Sequence, residues 1–382
     1  MNNSILNQDD IKILNKPVDF KPETKTSESF AIGYSGQLSE FDSRKLLELL
    51  HILKNGTFDE KTKYIYRPAD EIRKKNMGDE VFIRGIIEFS NYCRNNCFYC
   101  GLRRDNKKPE RYRISDEEII DICADLKNSA VGTVVLQSGE DTYYSKEKFG
   151  NLIKQIKSKT NLAITVSVGE RDIDTYKYWK DCGMDRYLMR FETTNRKIFK
   201  KIHPDSDYDY RINCIKNLKK IGVQTGSGFM IGLPGANEND IAEDILFCRE
   251  LNLDMIGVGP FISNPDTPLK NIENEYGVDF LTGIISLLRI VNPKSHIPAT
   301  TAFDALDKNG RQLCLLRGAN VFMPNITPQK YRSNYLLYPN KPCVDEDAMK
   351  CVNCLNFRIE SINRIIGRGR GDSIIKKNWR VK

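Results

Sequence analysis

Three cysteines fall within one short run, Ser90-Asn91-Tyr92-Cys93-Arg94-Asn95-Asn96-Cys97-Phe98-Tyr99-Cys100-Gly101. Thiolates spaced Cys-x3-Cys-x2-Cys on one loop can hold three corners of a [4Fe–4S] cubane and leave its fourth iron without a protein ligand. A structural zinc ion wants four ligands, and the chain's histidines, His51, His203 and His296, all lie far from this run in sequence. The spacing therefore points to a cluster with an open coordination position, ahead of a closed zinc site or inert buried thiols.

A second group, Cys343-x7-Cys351-x2-Cys354, suggests an auxiliary Fe–S or metal site, with a structural thiol set as the alternative. The other five of the eleven cysteines, Cys123, Cys182, Cys214, Cys248 and Cys314, fall in predicted helices. An odd, clustered cysteine set reads as a reducing compartment. Met1–Phe20 has no apolar core and carries Asp9, Asp10 and Asp19, so neither a signal nor a transit peptide is expected, and the expected location is cytoplasmic.

Such a loop must be held by regular elements. From residue 82 onward, Phe82–Phe89, Thr133–Leu136, Ala163–Val168, Arg186–Arg190, Gln224–Met230, Met255–Val258, Ile297–Thr301 and Val321–Met323 read as strands. Ser115–Lys127, Lys146–Lys157, Asp174–Cys182, Tyr208–Ile221, Asn239–Leu251, Phe280–Val291 and Gly310–Arg317 read as helices, the first opened by a Ser115/Glu118 capping box. Eight such alternations predict an α/β fold, a complete (β/α)8 TIM-type barrel over 81–335, with function on the loops at the C-terminal ends of its strands. Before it, 1–37 reads as a flexible polar extension and 38–80 as a helical segment. There Ser39–Leu53 would turn Phe41, Leu46, Leu47, Leu49, Leu50 and Leu53 to one face, and a second helix covers about Ala69–Lys75. After it, 336–382 is a cysteine-bearing extension with a basic tail.

The 382 residues carry 59 Lys/Arg against 51 Asp/Glu, a net charge of +8. Leu355–Lys382 alone holds eight Lys/Arg against Glu360 and Asp372. The surplus is a short tail, read as solvated charge, and no nucleic acid is expected as partner. Mean hydropathy is −0.49, and no apolar stretch approaches the ~20 residues of a membrane span.

Several strand ends offer groups suited to a ligand. Gln137-Ser138-Gly139-Glu140-Asp141 ends the second strand, and Arg190-Phe191-Glu192 the fourth. A charged pair at a barrel mouth must meet a ligand or pair with itself, and Arg211 suits bidentate carboxylate binding. Gly226-Ser227-Gly228-Phe229-Met230 implies close approach by a ligand or by backbone. Met255 on the sixth strand lines either a ligand or the core. Thr300, Thr301, Tyr331 and Tyr335 offer hydroxyls for a small polar or anionic ligand, or ordinary surface turns.

The run Cys93–Cys100, with Tyr99 at the aromatic position, resembles the signature of the radical S-adenosylmethionine (SAM) superfamily. That resemblance implies a [4Fe–4S] cluster whose open iron is chelated by SAM, and reductive cleavage to a 5′-deoxyadenosyl radical. Ser138 departs from the Gly-Gly-Glu often found in that superfamily. Within it, Ile86–Asn91, Gly101–Asn106, Gln137–Asp141, Gly257–Phe261 with Pro265–Pro268, and Pro298–Ala302 resemble the [FeFe]-hydrogenase maturase family HydE, over residues 65 to 370. The resemblance implies assembly of the hydrogenase di-iron subcluster on a small organometallic iron–cysteine complex bearing CO and cyanide. It implies the companion maturases HydG and HydF, and a flavodoxin or ferredoxin as reductant. Cys93, Cys97 and Cys100 would hold the cluster. Tyr99, Gln137, Ser138, Gly139, Glu140, Glu192, Arg211, Met230 and Met255 would contact SAM, and Thr165, Arg190, Thr300, Thr301, Tyr331 and Tyr335 the substrate. Methylornithine synthase and biotin synthase are the related alternatives, and a non-enzymatic Fe–S scaffold or electron carrier the alternative of another class. The second cluster that biotin synthase holds inside its barrel is disfavoured, because the five helical cysteines belong to the outer ring.

Overall fold

The structure is a computed structural model that describes residues 41–345 and 355–377. The extension 1–37, the start of the predicted Ser39–Leu53 helix, Cys351 and Cys354 lie outside the described residues.

Each β-branched run forms a strand: β1 (Glu80–Ser90), β2 (Val131–Ser138), β3 (Ala163–Ser167), β4 (Arg186–Leu188), β5 (Gln224–Ser227), β6 (Met255–Ile256), β7 (Pro298–Ala299) and β8 (Val321–Phe322). They pair in parallel in the order β6-β5-β4-β3-β2-β1-β8-β7. A bridge from Met255 to His296 closes the ring, with Ile256 N–H donating to His296 O at 2.8 Å. The expected TIM-type barrel is therefore present, and all seven predicted barrel helices surround it. A short ladder of Met230–Ile231 with Gly259–Pro260 extends β5 and β6 above the barrel.

Some local expectations need correction. Ser115 Oγ accepts from Glu118 N at 3.2 Å, but the Glu118 carboxylate does not complete a capping box. It takes Tyr331 Oη at 3.0 Å and Lys330 Nζ at 2.9 Å instead, because a tertiary cation competes for it. The seventh strand stops at Ala299, and Thr301 opens a helix, Thr301–Leu306.

In the N-terminal helix Ser43–Asn55, Leu46, Leu49, Leu50 and Leu53 are buried, and Leu47 only partly so. A π-helical turn, Thr62–Tyr66, joins Phe58–Lys61 to Arg67–Met77. These helices pack on Val278–Val291, in which every residue from Phe280 onward is buried. Covered on both sides, that helix is apolar over most of its surface, and its buried Arg289 is satisfied by the carbonyls of Gly318, Pro293 and Ser295.

The basic tail is not simply solvated. β9 (Ile365–Gly367) pairs with the start of β1, and Gly369–Ser373 then crosses beneath the barrel. The fully buried Arg186 donates to Arg370 O at 2.7 Å and Asp372 Oδ1 at 2.9 Å, and Gln224 Nε2 reaches the same Oδ1 at 2.8 Å. Arg364 pairs with Asp70 at 2.6 Å. A barrel arginine thus holds the tail's Asp372, while the tail's Arg370 and Arg364 pair with Asp185 and with Asp70 of the N-terminal helices. Among the described residues no helix is long and apolar enough to cross a membrane.

Candidate active site

Alternation along each strand puts every second residue inside the barrel. In a filled barrel such residues are fully buried. Here Gln137, Leu188, Arg190 and Met323 keep accessible area, and the Arg190 side chain retains 31%, so the upper barrel is hollow. Over this hollow lies the loop from β1 with Cys93, Cys97 and Cys100.

Backbone contacts fix that loop tightly. Arg94 N–H donates to Glu140 O at 3.0 Å, Arg104 N–H to Asn95 O at 2.9 Å, and Phe98 N–H to Ile202 O at 2.9 Å. A Cβ on Gly139 would lie 2.3 Å from Tyr92 O and 2.8 Å from Cys93 Cβ, so glycine is required there. Ser138 needs no such space; its hydroxyl donates to Gly139 O at 2.6 Å.

Burial pushes the thiols of Cys93 and Cys97 up, and that of Cys100 to about 12; Cys100 and Cys93 push Cys97 further. Thiols that disfavour one another's ionisation are what bound iron relieves, since its charge stabilises thiolates. The donor set of three cysteines fits a [4Fe–4S] cluster with one open iron. Of the other described cysteines, five are buried in or at the ends of helices, and Cys343 O accepts from Arg332.

His203, distant in sequence, is in contact with the cysteine loop: its Nδ1 is 3.2 Å from Cys97 Sγ and its Nε2 3.1 Å from Tyr99 Oη. Burial, with Arg211 and Arg190 nearby, holds it well below the usual imidazole range. Tyr99 Oη also reaches Glu192 Oε1 at 3.2 Å. Glu192 adopts the left-handed backbone region at φ 70°, held by its N–H to Gly228 O at 3.1 Å and its O from Met230 N–H at 2.9 Å. Such strain, ~1–3 kcal/mol, persists where surrounding structure demands it, commonly at a working site. Its Oε2 is buried without a hydrogen bond, although Arg190 Nη2 lies 3.2 Å away. The ion pair weighed from sequence thus exists, with the guanidinium poorly aligned on that oxygen.

A further group gathers around Gly259, whose absent Cβ would be 3.4 Å from Thr300 Oγ1 and 4.0 Å from Arg190 Nη1. Thr301 Oγ1 contacts Tyr338 Oη at 2.8 Å, Tyr335 meets Gln137, and Thr165 Oγ1 is buried without a hydrogen bond. Met230 packs in an apolar cluster beside Phe98 and Tyr99.

Four expected residues are placed differently. Met255 Sδ meets Arg84 Nη1 at 2.7 Å, and Arg84 donates to Gly371 O at 3.3 Å, which sets Met255 at the barrel floor. Tyr331 commits its hydroxyl to Glu118, outside the barrel mouth. Glu140 turns to Arg94 Nε at 3.1 Å and to Arg211. Arg211 is held between carboxylates, Glu170 at 2.9 Å and Glu140 at 3.6 Å; burial opposes its charge, but these partners keep its affinity for the proton raised. Sequence reading missed His203, Glu170, Tyr338 and Lys341. The last pairs with Glu88 inside the mouth, both nearly fully buried.

Residues 87–248 match the Radical SAM superfamily. The solved structure of a methylornithine synthase (PylB) superposes with a TM-score of 0.75 at 26% identity, covering 87% of this chain and 96% of that one. The barrel and its cysteine loop are those of a radical SAM enzyme, a class that works with a [4Fe–4S] cluster and SAM. A 3-methylornithine synthase of Methanosarcina barkeri is 31% identical over 76% of this chain and 81% of its own length. The "[FeFe] hydrogenase maturase subunit HydE" of Thermotoga maritima is 46% identical over 87% of this chain and 94% of its own length. The chain belongs to the HydE family of [FeFe]-hydrogenase maturases.

Proposed function

We propose that Cys93, Cys97 and Cys100 hold the cluster and that the hollow above β4, β6 and β7 binds a small anionic organometallic complex during assembly of the hydrogenase di-iron subcluster. When bound, cluster and SAM supply the 5′-deoxyadenosyl radical. The chain's own part is to bind, orient and exclude water. Glu192, whose Oε2 is ion-paired to Arg190 without an aligned hydrogen bond, offers a carboxylate to the SAM ammonium, and Gln137, Ser138, Gly139, Tyr99 and Met230 shape the same end of the site. Arg190, Thr300, Thr301, Thr165 and Tyr335, joined by Tyr338, give the substrate a cation and hydroxyls within a closed barrel, where charge interactions are strong. Met255 and Tyr331 have no part in this.

The observation that carries the reading is the half-buried three-thiol loop, without a fourth cysteine, over a hollow barrel that has a cation on its wall. The chain would take its substrate from a HydG-type maturase, pass its product towards a HydF-type scaffold, and draw electrons from a flavodoxin or ferredoxin. Internal sulfur donation of the biotin synthase kind has little support, since the five helical cysteines lie outside the lumen.

The test is anaerobic reconstitution followed by reduction with SAM. Release of 5′-deoxyadenosine is expected, and its absence would favour a scaffold or electron carrier. Restoration of hydrogenase activity in a strain lacking its own HydE then separates this reading from methylornithine synthesis.

A further inference from the structure

His203 follows the helix Arg196–Ile202 and is 106 residues beyond Cys97. Its ring stacks on Phe199 with centroids 4.7 Å apart and stands edge-on to Tyr99 at 5.4 Å. The Phe98 N–H bond to Ile202 O pins the cysteine loop to the same turn. The ring is therefore fixed in place, with Nδ1 3.2 Å from Cys97 Sγ and Nε2 3.1 Å from Tyr99 Oη.

A neutral imidazole has one N–H and one acceptor nitrogen. A cysteine sulfur that ligates iron has no proton and can only accept. In the structure the Tyr99 phenol donates to Glu192 Oε1, which leaves its oxygen to accept Nε2–H; beside a ligating sulfur, which can only accept, the ring proton belongs on Nδ1 and the phenol turns its own proton to Nε2. We infer that His203 is a positioning residue that donates Nδ1–H to the Cys97 sulfur and sets the reduction potential of the cluster, the Tyr99 phenol turning its O–H from Glu192 to Nε2 to hold that tautomer. This rests on the reading that Cys93, Cys97 and Cys100 hold a [4Fe–4S] cluster.

Reduction adds one electron from an external low-potential donor and takes the cluster from the 2+ to the 1+ state. The added negative charge spreads onto the sulfurs. An N–H aimed at one of them stabilises the reduced state more than the oxidised state, and hydrogen bonds to sulfur are among the determinants of cluster potential. The tyrosine at the motif's aromatic position thus does what phenylalanine could not.

The test is a potentiometric titration followed by EPR of the 1+ cluster, without SAM, in the full chain carrying Cys343→Ser, Cys351→Ser and Cys354→Ser so that one cluster contributes. In His203→Leu the ratio of reduced to oxidised cluster at a given potential should fall about tenfold, a midpoint ~59 mV more negative for one electron. His203→Asn, whose amide nitrogen can take the Nδ1 position, should stay near the parent, and Tyr99→Phe should fall between. A loaded leucine variant with the parent's midpoint overturns the role of His203 alone, as does an asparagine variant no better than leucine. If leucine prevents loading, an unshifted Tyr99→Phe midpoint overturns it. If the parent loads no cluster on this loop, the underlying reading fails and this inference fails with it.

Discussion

Ser138 and Gly139 are neighbours with opposite tolerances. The backbone of Gly139 touches the backbone that presents Cys93, whereas Ser138 contributes one bond to Gly139 O. Gly139→Ala should therefore push the cysteine loop away, at a cost of roughly 1–3 kcal/mol, and lower the iron bound on reconstitution. Ser138→Gly should keep it. Iron analysis of the two variants checks this, and equal loading would remove the steric argument. The three thiols could be read from sequence because they are local. His203 could not, since it meets Cys97 only through the fold, and no spacing rule links them. The placement of Met255 failed for another reason. Alternation gives the face of a strand but not the height along the barrel, and Met255 begins β6 at the floor whereas Gly259 stands at the mouth.

The strands and barrel helices were readable because each carries its own periodicity. The floor segment and the helix Arg196–Ile202 were not, being short and fixed by distant partners. One such partner is Asp244, on the helix Glu238–Glu250, whose Oδ1 accepts from Thr194 N at 2.6 Å and Thr194 Oγ1 at 2.8 Å and so holds the turn after Glu192. Burial raises this carboxyl from 3.8 to about 8, the Thr194 donors opposing the rise. The folded chain then keeps a proton that the unfolded chain releases near the ordinary value, so this group's contribution to stability falls as pH rises through that interval. Asp244→Asn retains an acceptor for Thr194 and should flatten the slope, gaining roughly 2 kcal/mol over the parent on the alkaline side. Urea unfolding of both chains across the interval measures it. A parent whose stability rises there would show the carboxylate to be ionised in the fold. Beneath the barrel, Asp372→Ala should leave the fully buried Arg186 without its carboxylate. Because Asp372 is itself half-exposed, the expected loss is about 2 kcal/mol, less than for a fully buried pair, read as a lower thermal midpoint.

The chain after β8 closes the molecule at both ends. Gly369–Ser373 forms the floor, while residues 335–341 run across the mouth and touch the cysteine loop, where Gly101 N–H donates to Leu337 O at 2.9 Å and Asn264 Nδ2 to the same oxygen at 3.1 Å. This upper strap is fastened by Lys341, which pairs with Glu88 on β1 and donates to Tyr335 O at 3.0 Å, while Asn325 Nδ2 holds the other Glu88 oxygen at 2.9 Å. A cation and a carboxylate buried this deeply contribute little over an apolar pair, but either one alone is costly. Lys341→Met should therefore destabilise the chain by about 3–5 kcal/mol. Glu88→Gln combined with Lys341→Met should recover most of that loss, because the unpaired charge goes with it. The single variant should also lose its cluster faster in air, since the strap lies over Gly101, directly after Cys100. Denaturant unfolding and the decay of cluster absorbance measure the two effects separately. A Lys341→Met chain as stable as the parent, with an equally durable cluster, would mean that the mouth is closed by the backbone contacts of Leu337 and not by the ion pair.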